Sequence, residues 1–171
     1  MNKMLQQLFD FSRMETGGIP INKTKVNFVE IIESYVISKQ KVQDEKYNIH
    51  LDINQNSYVE VNLDTELMHR VLDNLFENSL KYAGVSKVDI SVAIELYSNR
   101  VCLIWKDNGK GVPEDKLSKI FDRFYRVDES RSIKGSGIGL YVVEYIMKQH
   151  QGSARAENEQ GLKIILTFPT I

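Results

Sequence analysis

Val88, Ile90, Val92, Ile94 and Leu96 alternate without a break with Asp89, Ser91, Ala93 and Glu95. A period of two lays these apolar side chains along one face of a long strand, and that face must be covered. Ser98-Asn99 turns the chain, and Val101 to Lys106 reads as the returning strand. Helical patterns lie on both sides of this pair. The expectation is an α+β fold: a two-layer sandwich in which a mixed, mostly antiparallel sheet is covered on one face by helices.

The remaining segments fit that plan. Met1, Met4, Leu5, Leu8 and Phe9 recur at helical spacing toward Ser12, and Gly17-Gly18 with Pro20 stops the run. So short an amphipathic helix is marginal alone; it packs on a partner helix, ends a longer one, or frays. A second helix is expected from 28 to about 45, with Phe28, Ile31, Ile32, Tyr35, Val36 and Val42 on one side. Short strands follow at 47–53 and 58–62, around an Asn-Gln-Asn-Ser turn at 54–57. Asp64 is an N-cap for a third helix that runs to about Ala83 and stops at Gly84. A short helix is expected at 114–121, no element at 122–136, a helix at 139–149, and strands near 153–156 and 162–168.

Composition excludes several classes. The 171 residues carry a formal net charge of -1, with 42% hydrophobic and 26% charged residues, as in globular domains. That balance gives no general basis for nucleic-acid binding or for membrane contact by this segment. Cys102 is the single cysteine, so there is no disulfide framework. No apolar run is long enough to span a bilayer and the N-terminus lacks a signal pattern, so a cytoplasmic location is expected.

Four segments carry chemistry. Asp107-Asn-Gly-Lys-Gly-Val-Pro113 puts a carboxylate at the mouth of a glycine turn. It is either a strand-end turn or an acceptor for the amino group of a purine. Gly135-Ser-Gly-Ile-Gly139-Leu140 opens a helix, where free N–H groups and the positive dipole end suit phosphate. Its spacing matches neither the dinucleotide fingerprint nor the Walker loop. On the third helix Asn74, Asn78 and Lys81 share one face. They form either a solvated polar face or a set of Mg²⁺ and phosphate ligands. Between the glycine segments, Phe121, Phe124 and Tyr125 are core or lid aromatics. Arg126, Arg131 and Lys134 are surface charge or lid cations aimed at phosphate.

Together these segments resemble the motif set of sensor histidine kinases. Asn74-Leu-Phe-Glu-Asn78-Ser-Leu-Lys81-Tyr82 resembles the asparagine box, and residues 107–111 the first glycine box. Residues 121–126 resemble the phenylalanine box and 135–140 the second glycine box, all in order across about 28–169. Residues 8–17 resemble the end of the dimerisation helix that precedes this domain. The resemblance implies two parts: a dimerisation-helix end at 1–19 and a catalytic domain at 20–171. The catalytic domain would have the Bergerat ATP-binding fold, shared with gyrase, the Hsp90 chaperones and MutL.

It also implies ATP and Mg²⁺ as cofactors and a set of roles. Asp107 would recognise adenine, with Gly109, Gly111 and Val112 beside it and Tyr82 flanking the base. Asn78 would bind Mg²⁺, and Asn74 and Lys81 would reach the phosphates. Phe121, Tyr125 and Arg126 would form the lid, with Arg126 near the terminal phosphate. Gly135, Ser136, Gly137, Ile138, Gly139 and Leu140 would line the phosphate end, and Thr167 on the closing strand would help place adenine. In ATPase relatives the position of Asn74 is a water-activating Glu; an amide there favours transfer to a side chain, with Glu77 as the remaining candidate base or a solvated residue. The catalytic set is therefore Asn74, Glu77, Lys81 and Arg126.

Three departures stand out: residues 128–135 are about two shorter than is common, Lys110 replaces a frequent Pro, and Gly161-Leu-Lys replaces Gly-Thr-x-Phe. None of His50, His69 and His150 has the acidic and Thr-Pro context of a phosphoacceptor. The expected function is transfer of the ATP γ-phosphoryl to a His outside this chain, for relay to an Asp of a response regulator. The expected partners are thus a dimerisation domain and a response regulator. The parent protein is expected to be a homodimer that is membrane-anchored in many relatives. An ATP-gated binding module and a serine kinase of the anti-sigma-factor type are the alternatives.

Overall fold

A computed structural model describes residues 2–42, 44–53, 57–127 and 135–171. The elements run α1 (Lys3–Thr16), β1 (Thr24–Asn27), α2 (Phe28–Gln40), β2 (Tyr47–Asp52), β3 (Glu60–Leu63) and α3 (Thr65–Tyr82). Then come β4 (Val88–Leu96), β5 (Arg100–Asp107), a 3₁₀ helix (Glu114–Lys119), α4 (Gly139–Gln149), β6 (Ser153–Asn158) and β7 (Leu162–Pro169). The main sheet has the order β2-β4-β5-β7-β6, with β2 parallel to β4 and the other pairs antiparallel. β1 and β3 form a separate antiparallel pair.

Strand register decides what faces the helices. Val92 pairs with Trp105 and Trp105 with Ile164; Leu103 pairs with Leu166, and Val101 with Phe168. All of these are buried, on the face covered by Phe28 and Ile32 of α2, Met68, Leu72 and Leu75 of α3, and Val143 and Ile146 of α4. Burying each such side chain is worth roughly 1.5–3 kcal/mol. The predicted two-layer α+β sandwich is the observed one.

Several boundaries differ from expectation. The second helix ends at Gln40 rather than about 45. Val42 is 64% exposed, so the apolar stripe has no core to reach there. β2 stops one residue early, at Asp52, and β3 begins at Glu60 rather than 58, since Tyr58 is 65% exposed. Of the 54–57 turn, residues 54–56 lie outside the described residues. β1 was not anticipated: its four residues gain order only by pairing with β3. The helix expected at 114–121 is a 3₁₀ turn that ends at Lys119. β6 is longer than expected, to Asn158, because all six of its residues pair with β7.

α1 docks through a face other than its apolar row. Met14 is buried, Phe11 lies edge-on to Phe124 at 5.0 Å, and Asp10 meets Arg70 at 2.9 Å. Met4, Leu5, Leu8 and Phe9 are exposed.

Candidate active site

Asp107 ends β5 on the same face as Trp105, Leu103 and Val101, so register alone turns its carboxylate under the helices. It is 4% exposed. Burial pushes its carboxyl above the ordinary value of 3.8, while hydrogen bonds from the Gly109 and Leu162 backbone and from the Ser79 side chain pull the other way. The Gly109 and Leu162 N–H groups both donate to Oδ1, at 2.9 and 3.3 Å. Ser79 Oγ accepts from Trp105 Nε1 at 3.1 Å, which leaves the hydroxyl hydrogen for the carboxylate.

From Asp107 a cavity of about 540 Å³ extends to the N-terminus of α4. Its size is ordinary for a small-molecule site. α3 contributes Asn74, Glu77, Asn78, Lys81 and Tyr82, and the turn contributes Asp107, Gly111 and Val112. Tyr125 and Arg126 line it from the segment after the 3₁₀ turn. Gly135, Ser136, Gly137, Gly139 and Leu140 complete the far end.

The far end is built for an anion. No side chain caps α4, so its first-turn N–H groups lack the usual side-chain acceptor. Gly137 has φ +70, and a Cβ there would lie 3.0 Å from the Tyr125 carbonyl oxygen and 3.1 Å from Arg126 Cγ. Glycine thus lets the stretch bearing Arg126 pass directly over the loop. Asn74 Nδ2 donates to the Arg70 carbonyl at 2.9 Å, which turns its Oδ1 toward Gly139. Lys81 and Glu77 approach to 4.0 Å along the helix, both on the cavity wall.

Four expected site residues are not on that wall. Thr167 pairs with Cys102 on the face of the sheet turned away from the helices, so strand parity removes it from the cavity. Leu162 at the start of the same strand is the residue that lines it and donates to Asp107. Gly109 lies against the Ala83 backbone and supports the turn from behind. Phe121 and Ile138 are core residues, 7% and 0% exposed. Arg131 and Lys134, like most of the short 128–135 stretch, lie outside the described residues.

The structure adds residues the motifs do not flag. Ala83, Ile120 and Leu162 give apolar wall, which in a sequence looks like any core position. Glu114, Val127 and Asn158 also border the cavity, beside Lys110 and Pro113 of the glycine turn already singled out, and Gln7 reaches it from α1, accepting from Ser136 Oγ at 2.8 Å. None of the three histidines lines it. His50 is exposed, His69 Nδ1 meets the Thr65 carbonyl, and His150 is buried between Asp64 N–H and the Ile146 carbonyl. Among the described residues no cluster of three or more His, Cys, Asp or Glu is placed to hold a metal. No described helix is long and apolar enough to cross a membrane.

The cavity thus has a buried carboxylate at one end and an uncapped helix N-terminus at the other, on a mixed sheet under helices. A family model for histidine kinase-, DNA gyrase B- and HSP90-like ATPases matches residues 63–171. The chain belongs to that family, and within it is a catalytic, ATP-binding domain of the sensor-histidine-kinase type. It is 33% identical over 174 residues to the sensor protein kinase WalK of Staphylococcus aureus, covering 99% of this chain. It spans 28% of that relative's length. Among solved structures it resembles the catalytic domain of histidine kinase ThkA, with TM-score 0.72, 26% identity, and 86% of this chain and 97% of that one covered. Full-length ShkA in complex with AMPPNP gives TM-score 0.82 at 19% identity, over 98% of this chain and 35% of that one. ThkA in complex with the response regulator TrrA gives 0.76 at 21% identity, over 99% of this chain and 49% of that one.

Proposed function

We propose that this domain holds Mg-ATP with adenine at Asp107 and transfers the γ-phosphoryl to a His on a separate dimerisation segment. From that His the phosphoryl would pass to an Asp of a response regulator. One observation carries the reading. The cavity joins a buried carboxylate to a helix N-terminus, and its wall carries an amide, Asn74, at the position where the resemblance implies a water-activating Glu in ATPase relatives. An amide cannot take a proton, so the site favours a nucleophile that brings its own reactivity over hydrolysis.

Asp107 accepts from the exocyclic amino group, with Gly111, Val112, Leu162 and Tyr82 around the base. Lys81 and the α4 N-terminus take up phosphate charge, and Arg126 faces the terminal group. Asn78 suits Mg²⁺, an ion that is content with one protein oxygen beside water and phosphate oxygens. Mg²⁺, when bound, supplies charge neutralisation on the phosphates. Glu77, paired with Lys81, orients that ammonium, and no base is required of it. α1 is read as the end of a dimerisation helix whose exposed row, Met4, Leu5, Leu8 and Phe9, pairs with helices of a homodimer. The domain works in the cytoplasm, where ATP is, whether or not the parent protein is membrane-anchored.

The test supplies γ-labelled ATP and Mg²⁺ with a His-bearing dimerisation domain from a WalK relative. The expected product is acid-labile, base-stable label on that domain. Label released as inorganic phosphate, with none on protein, contradicts transfer and points to a hydrolase. ATP-dependent docking with neither product points to a binding module.

A further inference from the structure

The turn between β6 and β7 grips the adenine-side loop at the edge of the cavity. Asn158 ends β6 opposite Leu162, whose N–H is one of the two donors to Asp107. The Asn158 side chain reaches across to the loop. Its Oδ1 accepts from Val112 N–H at 3.0 Å, and its Nδ2 donates to the Val112 carbonyl at 2.6 Å and to Glu114 Oε1 at 2.9 Å. One amide thus pairs with both main-chain groups of a single residue, as a neighbouring strand would. The loop is shaped to receive it: Gly111 has φ +71, and a Cβ there would lie 2.5 Å from Asn158 Oδ1. The turn is itself tied to the sheet, because Glu159 meets Lys106 at 3.0 Å and Lys163 at 3.3 Å.

Asn158 borders the cavity, yet its amide is engaged: the oxygen takes one N–H and the two nitrogen hydrogens have two acceptors. We propose that Asn158 is a positioning residue for ATP binding. It fixes Val112 and Glu114, and with them the turn beside Asp107 and the start of the 3₁₀ helix that leads toward Arg126. The inference rests on the assignment of adenine to Asp107. Only a group with acceptor and donor in one plane satisfies these partners. A carboxylate at this position would keep the Val112 N–H but lose both donors, and would face the carboxylate of Glu114.

The test is calorimetric titration of Mg-ATP into the full chain, with thermal unfolding of every variant to confirm folding. N158D is expected to weaken binding about tenfold at neutral pH. Adding E114Q in that background is expected to bring affinity back to within about threefold of the parent, because the new amide returns a donor to the pair. Loss of side-chain bulk or of general stability would not be rescued in this way. Unchanged affinity in a folded N158D or N158A variant overturns the proposal, as does failure of E114Q to restore it. Asp107→Asn separates the two assignments. If it weakens ATP while N158A does not, the positioning role alone is wrong. If neither weakens ATP, the adenine assignment is wrong.

Discussion

In the proposed site Asp107 accepts a hydrogen bond from an amino group best when ionised, yet its burial opposes charge. Its folded pKa lies above the ordinary value of 3.8. Below that folded pKa the carboxyl carries a proton that the unfolded chain does not take up until lower pH. Asp107 therefore costs stability when ionised, and that cost is relieved as pH falls through its folded pKa. ATP affinity moves the other way, since the protonated group is a poor acceptor for the amino hydrogen. The advantage of the parent over Asp107→Asn in ATP affinity is expected to shrink on acidification while the pH is still above the usual aspartate range. Parallel calorimetric titrations across pH measure it; a ratio that stays constant down to about pH 4 contradicts the role given to the carboxylate.

At the scale of elements, α3 carries most of the site, and its start is held by two titrating groups. Asp64 caps it, accepting from Leu67 N–H at 3.1 Å and from Asn22 N–H at 2.7 Å. Burial raises its carboxyl, but hydrogen bonds from the Asn22, Leu67 and Glu66 backbone outweigh this and hold it below 3.8. His150 Nε2 in turn accepts from the Asp64 N–H at 2.9 Å, and Nδ1–H donates to the Ile146 carbonyl at 2.8 Å. Burial lowers its pKa below 6.5, so the folded state requires the neutral ring. The stability it contributes is full above pH 6.5 and is lost as pH falls from there toward the folded pKa. Asp64 contributes fully above 3.8 and fails only at more acid pH. Denaturant midpoints are thus expected to fall between about pH 7 and pH 5, with a smaller fall in His150→Asn. An equal slope in both proteins would remove His150 from the account. Asp64→Ala is expected to cost about 1–2 kcal/mol at neutral pH.

Elements specified by local chemistry were legible. The cap at Asp64, the stop at Gly84, the alternation of β4 and the glycine opening of α4 each depend on a few adjacent residues. Thr167 shows where legibility ends: whether it or Leu162 lines the cavity depends on pairing with β5, which no local pattern fixes. The Leu162 donor is main chain and leaves no side-chain signal. Asn158 looks like a turn residue, because its partners Val112 and Glu114 lie more than forty positions away. β1 is too short to announce itself without β3.

Among the described residues, a five-stranded sheet, a two-stranded pair and four α-helices are arranged so that one cavity has two chemically opposite ends. The inward register of β5 supplies the carboxylate, α4 supplies the uncapped N–H groups, and α3 spans the distance with its polar face. α1 reaches the same cavity through Gln7, so the segment proposed for dimerisation touches the end proposed for phosphate. The central claim is that this cavity binds ATP with adenine at Asp107, and the most direct measurement is calorimetric titration of Mg-ATP into the parent and Asp107→Asn at neutral pH. Losing a hydrogen bond to a charged acceptor is worth about 1.5–3 kcal/mol, so affinity is predicted to drop roughly 10- to 150-fold with the fold intact. Equal affinity in the two proteins would contradict it.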